Sequence, residues 1–284
     1  MTNNNEGYTT YVQSTDGTKI HYEKRGKGPG LVIIHGAFRD SSHYQKLAQE
    51  LDSAFTVYTM DRRGRNGSGE KGSAYSIEKE CEDVEAIIQK ESVSFIFGHS
   101  FGGLVTLEAG LQFPSIHRIA VYEPPISING SVPTAWLPLF EAQLRKGDFV
   151  GASISLIKGL QMGGWMRRIP TFALRPLFNK VSQSDEWQQN VELLKTVASE
   201  AKVGVSLHDL PDRYRQIKTQ VFILSGSKSP AYLQSAANEL AKIVPHSQQL
   251  LCKGLDHNGP DVSAPEQIAA KLTMFFKGGN NIAK

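Results

Sequence analysis

The sequence predicts an α/β protein built on a mostly parallel sheet of eight strands, with helices on both faces. Short apolar runs alternate with helix-like segments on either side of a long irregular region. Most of these runs are continuously apolar, which is typical of strands covered on both faces. The alternation of strand and helix favours a parallel sheet. We therefore divide the chain into a first core part (1–125), a helical insertion (126–216) and a second core part (217–284).

The first core part supplies six predicted strands. Two short alternating runs are joined by Asp16-Gly17, a pair that is typical of a hairpin turn. The later runs are separated by segments with helical spacing, in which apolar residues recur every three or four positions. The predicted strands are 9–14, 19–24, 31–34, 55–60, 93–97 and 117–122, and the predicted helices are 42–51, 77–88 and 104–113.

The insertion interrupts this rhythm. It contains helix-like pieces, several prolines and all three tryptophans, but no clear strand. We interpret it as a helical lid over the sheet. The alternation then resumes with strands 220–224 and 247–253 and with helices at 231–244 and from about 265, followed by a tail (280–284) that we expect to be frayed.

The composition excludes several classes of function. A net charge of +3, from 31 basic and 28 acidic residues, is too balanced to predict a nucleic-acid partner. Cys81 and Cys252 are too few for a disulfide framework and lack metal-ligand spacing, so we expect buried thiols. The polar N-terminus lacks the apolar stretch of a signal peptide, and no run is long enough to span a membrane. We expect a cytoplasmic protein without metal or cofactor; its oligomeric state stays open.

The central motif is Gly98-His99-Ser100-Phe101-Gly102. It lies between a predicted strand and a predicted helix, the context that a nucleophile elbow requires. Ser100 would occupy the tip of the turn in a strained conformation. Gly98 and Gly102 would be needed because a Cβ at either position would collide as the strand turns into the helix. We predict Ser100 as a catalytic nucleophile.

A serine hydroxyl needs an adjacent base, and His257 is the best-placed histidine. It follows the last predicted strand, so it belongs to the same sheet edge as Ser100. We expect His99 to be a buried, hydrogen-bonded neighbour and His35 to brace its own loop. Two backbone N–H groups, those of Ala37 and Phe101, are the predicted oxyanion hole.

These motifs together resemble the lidded esterases of the α/β-hydrolase family. The matching stretches are His35-Gly36, Asp61-Arg62-Arg63-Gly64, Gly98-His99-Ser100 and Gly254-Leu255-Asp256-His257, in that order. The resemblance covers the core on both sides of the insertion. It implies an eight-stranded α/β-hydrolase sheet and a Ser–acid–His triad. Asp61 we expect to be structural, holding the loops through backbone N–H groups.

The chain departs from the family at the acid. The usual Gly-x-x-Asp after the seventh strand is here Gly226-Ser227-Lys228-Ser229. A serine cannot stabilise an imidazolium as a carboxylate does. Some relatives, including haloalkane dehalogenases, carry the acid one strand earlier, which implies Glu123. Asp209 is the reserve candidate, and Asp256 would have to fold back awkwardly onto its neighbour.

With a serine nucleophile, the resemblance implies hydrolysis of a carboxylic ester or lactone rather than dehalogenase or epoxide-hydrolase chemistry. We expect a small or medium, largely apolar substrate, because no basic cluster in the insertion predicts a phosphorylated or heavily acidic one. Phe38, Trp136 and Trp165 are the predicted substrate-binding residues.

Two alternatives remain open at this point. The same triad also serves thioesters, carbon–carbon bond hydrolysis of dienol ketones and perhydrolysis. Some relatives of the fold are instead small-molecule receptors or signalling proteins with slow turnover.

Overall fold

The computed structural model describes residues 7–279; the predicted frayed tail and residues 1–6 lie outside the described part. Eight strands form one sheet in the order β1-β2-β4-β3-β5-β6-β7-β8. This confirms the predicted sheet. The strands are β1 (Tyr8–Gln13), β2 (Lys19–Gly26), β3 (Gly30–Ile34), β4 (Thr56–Met60), β5 (Val93–His99), β6 (Arg118–Tyr122), β7 (Gln220–Gly226) and β8 (Ser247–Cys252).

The sheet is parallel from β4 to β8. Only β2 runs against its neighbours, pairing antiparallel with β1 on one side and with β4 on the other. Because β3, β5, β6, β7 and β8 are parallel, their carboxyl ends meet at one edge. Ligands of such sheets bind at that edge.

Nine α-helices occur within residues 7–279. The helix after β5 begins at Phe101, three residues earlier than predicted, and the segment before Gln45 is a 3₁₀ turn, Ser41–Tyr44. The helices are α1 (Gln45–Leu51), α2 (Ile77–Glu91), α3 (Phe101–Gln112), α4 (Leu137–Arg145), α5 (Phe149–Gly159), α6 (Thr171–Val181), α7 (Trp187–Ser206), α8 (Ala231–Ile243) and α9 (Pro265–Phe276). None of these helices combines the length and apolarity needed to cross a membrane.

Successive residues of the central strands point to opposite faces and so build two cores. Ile34, Ile96 and Val121 belong to the core that α2, α3 and α8 cover. Leu31 and Phe97 belong to the other core, which α1 and α9 cover. The burial of both faces explains why these strands are continuously apolar.

The segment 126–216 contains α4 to α7 and no strand among its residues. Phe140, Leu156 and Leu194 form a small separate cluster there. Helix α7 also reaches the main core, where Val203 is buried. The insertion is therefore joined to the main core both through α7 and through its two ends, where Ile126 and Tyr214 are buried in the same core.

Candidate active site

Ser100 occupies the sharp turn between β5 and α3. Its φ of 53° and ψ of −120° form a backbone conformation that a non-glycine residue rarely adopts. A Cβ on Gly98 would overlap the Gly102 carbonyl, and one on Gly102 would overlap the Ile34 carbonyl. The two glycines therefore allow the turn to pack this closely, as the sequence predicts. The Ser100 amide is fixed by donating to the Tyr122 carbonyl at 2.9 Å.

His257 and Glu123 form a close pair beside this turn. His257 Nδ1 lies 2.6 Å from Glu123 Oε2, while the other carboxylate oxygen accepts the Gly226 N–H at 2.6 Å. Because a carboxylate only accepts hydrogen bonds, Nδ1 carries the hydrogen, and Nε2 is left to act elsewhere. Glu123 is fully buried and has a positive φ of 50°. The carboxylate thus occupies the end of β6 and contacts the backbone at the end of β7.

The two other acids considered for this position have different partners. Asp209 Oδ1 accepts the Gly130 N–H at 3.1 Å, within the insertion. Asp256 Oδ1 accepts the Asn258 N–H at 3.0 Å, in its own loop. Neither carboxylate makes a hydrogen bond with His257 among the described residues. Asp61 Oδ1 accepts the Ser41 N–H at 2.9 Å, as expected for a residue that holds a loop.

The structure brings Ala37 and Phe101 to the wall of one cavity together with Ser100 and His257. Phe101 is the first residue of α3, so its N–H has no acceptor within the helix. Within residues 7–279, the Ala37 N–H makes no backbone hydrogen bond. Gly36 packs so closely that a Cβ there would lie 3.1 Å from the Ser100 Cβ. Two unengaged N–H groups therefore adjoin the serine.

This first cavity has a volume of about 370 Å³ and a mainly apolar wall. Phe38 and Trp136 line it, beside Leu104, Leu156 and Val197. Two polar residues that sequence reasoning did not single out, Glu200 and His208, also belong to the wall. Neither has a recognisable motif around it, so only the folded insertion reveals them.

A second cavity of about 800 Å³ adjoins the first. Both cavities are lined by Met162, Gly163, His257 and Asn258. Trp165, 70% exposed, lines this second cavity and not the first. Its wall also carries Arg167, Arg168 and Lys228. The insertion supplies the two arginines and the second core part supplies the lysine, so the three cations share one wall only in the folded chain.

His99 is buried, as expected, and so is His35, for which we expected a role in bracing its own loop. Burial lowers the pKa of His35 and of His99 well below the usual range, so both rings are neutral. His35 Nε2 accepts the Arg62 N–H at 3.1 Å. His99 Nε2 lies 2.8 Å from the His257 carbonyl oxygen and therefore donates to it. Both rings brace loops around the serine.

The basic loop after β4 is buried rather than exposed. Arg62 and Arg65 both donate to Glu200 Oε1 on α7, at 2.9 and 2.7 Å, and Lys71 does so at 2.8 Å. Burial alone would raise the pKa of Glu200, but these three cations outweigh it and lower it. One carboxylate of the insertion is thus shared by three cations of the core.

Within residues 7–279, no group of three His, Cys, Asp or Glu side chains is arranged to hold a metal ion. Both cysteines are buried, as predicted.

Comparison with known proteins is consistent with this geometry. Residues 31–271 match the model of a family described as the alpha/beta hydrolase family. A solved α/β hydrolase from Sphaerobacter thermophilus is 30% identical, with a TM-score of 0.77, covering 94% of this chain and all of that one.

Two curated relatives are more distant. The 2-(acetamidomethylene)succinate hydrolase of Mesorhizobium japonicum is 23% identical over 90% of this chain and 91% of its own. The pimeloyl-[acyl-carrier protein] methyl ester esterase of Aliivibrio salmonicida is 22% identical over 92% of this chain and 97% of its own.

Proposed function

Because this chain is an enzyme that belongs to the alpha/beta hydrolase family, we propose that it cleaves a small or medium, largely apolar carboxylic ester or lactone through an acyl-enzyme on Ser100. The observation that carries the proposal is the 2.6 Å pairing of His257 Nδ1 with the buried Glu123 carboxylate, since His257 lines the same cavity as Ser100. That pairing orients the imidazole and leaves Nε2 as the base.

In the acylation step, Ser100 Oγ attacks the substrate carbonyl carbon as His257 Nε2 takes the hydroxyl proton. The N–H groups of Ala37 and Phe101 would hold the oxyanion of the tetrahedral intermediate. As the intermediate collapses, the bond to the leaving group breaks. His257 returns its proton to the departing alcohol oxygen, and an ester of Ser100 remains.

Deacylation repeats the cycle with water. His257 takes a proton from the water, whose oxygen attacks the Ser100 ester, and the proton then passes to Ser100 Oγ as the acid product leaves. Glu123 accepts the Nδ1 hydrogen bond throughout and stabilises the imidazolium that forms in each step. No external reagent other than water is consumed.

The apolar first cavity supports an apolar acyl group. Phe38 and Trp136 lie in its wall with several aliphatic side chains, and its volume of about 370 Å³ suits a short acyl chain. Names among the similar proteins support an ester substrate; the Aliivibrio salmonicida protein, for example, is named as a methyl ester esterase.

The test is hydrolysis of p-nitrophenyl acetate and butyrate by the wild type and by Ser100→Ala. The control is Ser206→Ala, which changes an exposed serine of α7. We expect turnover in the wild type and in Ser206→Ala but none above background in Ser100→Ala. Intact-protein mass spectrometry during turnover should show one acyl adduct on the wild type. A folded wild type without turnover, or an active Ser100→Ala, would overturn the proposal.

A further inference from the structure

We propose that the second cavity is an anion-binding subsite for the leaving-group side of the substrate, taking a carboxylate or phosphate there. The inference rests on the proposed function and changes one part of it: the acyl group is apolar, as proposed, but the alcohol portion carries an anionic group. Four features of the cavity wall support it.

The first feature is charge. Arg167 and Arg168 come from the 3₁₀ turn Gly164–Arg168 of the insertion, and Lys228 comes from the loop after β7. Within the described residues, none of these three side chains forms an ion pair or a hydrogen bond. Asp256 is the only acidic residue in the wall, and it is already hydrogen-bonded in its own loop. Three cations against one carboxylate leave the wall of this cavity with an excess of positive charge.

The second feature is an unused polar group. Ser229 is 7% exposed and lines this cavity, yet its hydroxyl has no hydrogen-bond partner within residues 7–279. The hydroxyl oxygen is itself closed off from the cavity, but a buried hydroxyl without a partner costs free energy, so a rotation of the side chain that brings it to a ligand oxygen would be favoured.

The third feature is a helix terminus. Pro230 and Ala231, at the start of the 13-residue helix α8, belong to the same wall. The first N–H groups of a helix have no acceptor within it, and the helix dipole places partial positive charge there. This terminus adds to the attraction of the three cations for an anion.

The fourth feature is the position of the cavity relative to the reaction. His257 borders both cavities, and the leaving group must lie within hydrogen-bond reach of this histidine to receive its proton. With the acyl group in the apolar first cavity, the alcohol portion has the second cavity available. The exposed face of Trp165 offers it an aromatic contact.

The absence of an acid from the loop after β7 explains why the wall of the second cavity can be cationic. The loop after β7 has Ser229 beside Lys228 and contains no carboxylate. A carboxylate at position 229 would repel an anionic ligand. Since Glu123 takes the hydrogen bond of His257 from the end of β6, the loop after β7 is free to bind an anion instead.

The experiment compares esters that share a butyryl group and differ in the charge of the alcohol portion: 4-(butyryloxy)benzoate, 4-(butyryloxy)phenyl phosphate and the neutral 4-(butyryloxy)benzamide. We expect the wild type to prefer at least one anionic ester about tenfold in kcat/KM, mainly through KM, because charge pairs with three exposed cations add up to that size. The ratio of benzoate to phosphate distinguishes the two anions. Raising NaCl to about 1 M should reduce the preference, since the screening length falls to about 3 Å.

The variant Arg167→Gln/Arg168→Gln/Lys228→Gln should lose this preference. A matched control, Arg145→Gln/Lys146→Gln/Lys277→Gln, removes three exposed cations that line neither cavity and should keep it. Hydrolysis of all three esters at equal kcat/KM by the wild type would overturn the subsite while leaving the proposed function intact.

A binding measurement works even if turnover fails. The products 4-hydroxybenzoate and 4-hydroxybenzamide are titrated into Ser100→Ala, with tryptophan fluorescence as the signal and Trp165→Phe to identify the reporter. We expect the anion to bind at least tenfold more tightly than the amide and the triple variant to remove the difference. Equal affinities would overturn the inference.

Discussion

The Tyr44 hydroxyl lies 2.6 Å from His99 Nδ1 and links the two loops that flank Ser100. Since His99 Nε2 donates to the His257 carbonyl, Nδ1 accepts, and the tyrosine donates to it. The Tyr44 oxygen in turn accepts the Gly36 N–H at 3.3 Å. One chain of hydrogen bonds therefore runs from the loop of the predicted oxyanion hole to the loop of the histidine.

Removing the Tyr44 hydroxyl should loosen both loops. In Tyr44→Phe, His99 Nδ1 and the Gly36 N–H lose their partner in a buried place, which costs about 1–3 kcal/mol of stability. We expect kcat for p-nitrophenyl butyrate to fall about tenfold, with a smaller change in KM, since the loops act mainly on the transition state. Tyr214→Phe is the control, because it also removes a buried hydroxyl, one bonded to Glu108. Equal losses of kcat in the two variants would contradict the linking role.

Glu123→Gln should abolish most turnover without unfolding the chain. An amide cannot stabilise the imidazolium, and it can fix the wrong tautomer of His257, so we expect kcat to fall by about 10³ or more. Steady-state kinetics and circular dichroism check both parts. Asp209→Asn, which alters contacts to the Gly130 N–H and the Ser127 hydroxyl within the insertion, should stay active. The reverse pattern would remove Glu123 from the mechanism.

Glu200→Gln should destabilise the protein strongly. The change leaves Arg62, Arg65 and Lys71 without their shared carboxylate in a buried place, and breaking a buried pair costs about 3–5 kcal/mol. Urea unfolding measures the loss. Glu192→Gln, on the same helix, removes an exposed pair with Lys195 and should cost less than about 1 kcal/mol. Similar losses in both variants would argue against the buried cluster.

Lys71 should make the free energy of unfolding of the wild type increase as the pH rises above about 8. Burial lowers the pKa of Lys71 from 10.5 to about 8. Between these values the unfolded chain binds more protons than the native chain, so unfolding becomes harder as pH rises. From pH 8 to 9.5 this contribution is about 2 kcal/mol.

The free energy of unfolding is compared between the wild type and Lys71→Met at pH 7.5 and 9.5. Between pH 7.5 and 9.5, the free energy of unfolding of the wild type should rise by about 2 kcal/mol relative to that of Lys71→Met. The same comparison with Lys195→Met, which changes an exposed lysine, should show no change with pH. A difference for Lys71→Met that is flat or falls with pH would contradict the burial of its charge.

The sheet and the serine turn were predictable because their signals are local. A continuously apolar run predicts a buried strand wherever its neighbours lie, and Gly98 and Gly102 mark the turn by spacing alone. The signal for Glu123 is indirect, because it was predicted from the absence of an acid after β7. Its role as the catalytic acid stays a prediction that the mutants above test.

What the sequence could not predict depends on contacts between distant segments. Arg62 and Glu200 are 138 residues apart, so nothing near the arginine indicates that it is buried. His208 and the arginine pair of the insertion likewise have no periodic pattern around them. Their position at the cavities follows from how the insertion folds back over the sheet.

The shared carboxylate of Glu200 also limits how the site can open. Swinging α7 away as a rigid lever would separate one anion from three cations in a medium of low polarity, at a cost comparable to the stability of the whole protein. Helix α7 should therefore keep its position relative to the sheet when a substrate enters. We therefore expect any opening for substrate entry to come from a segment other than α7.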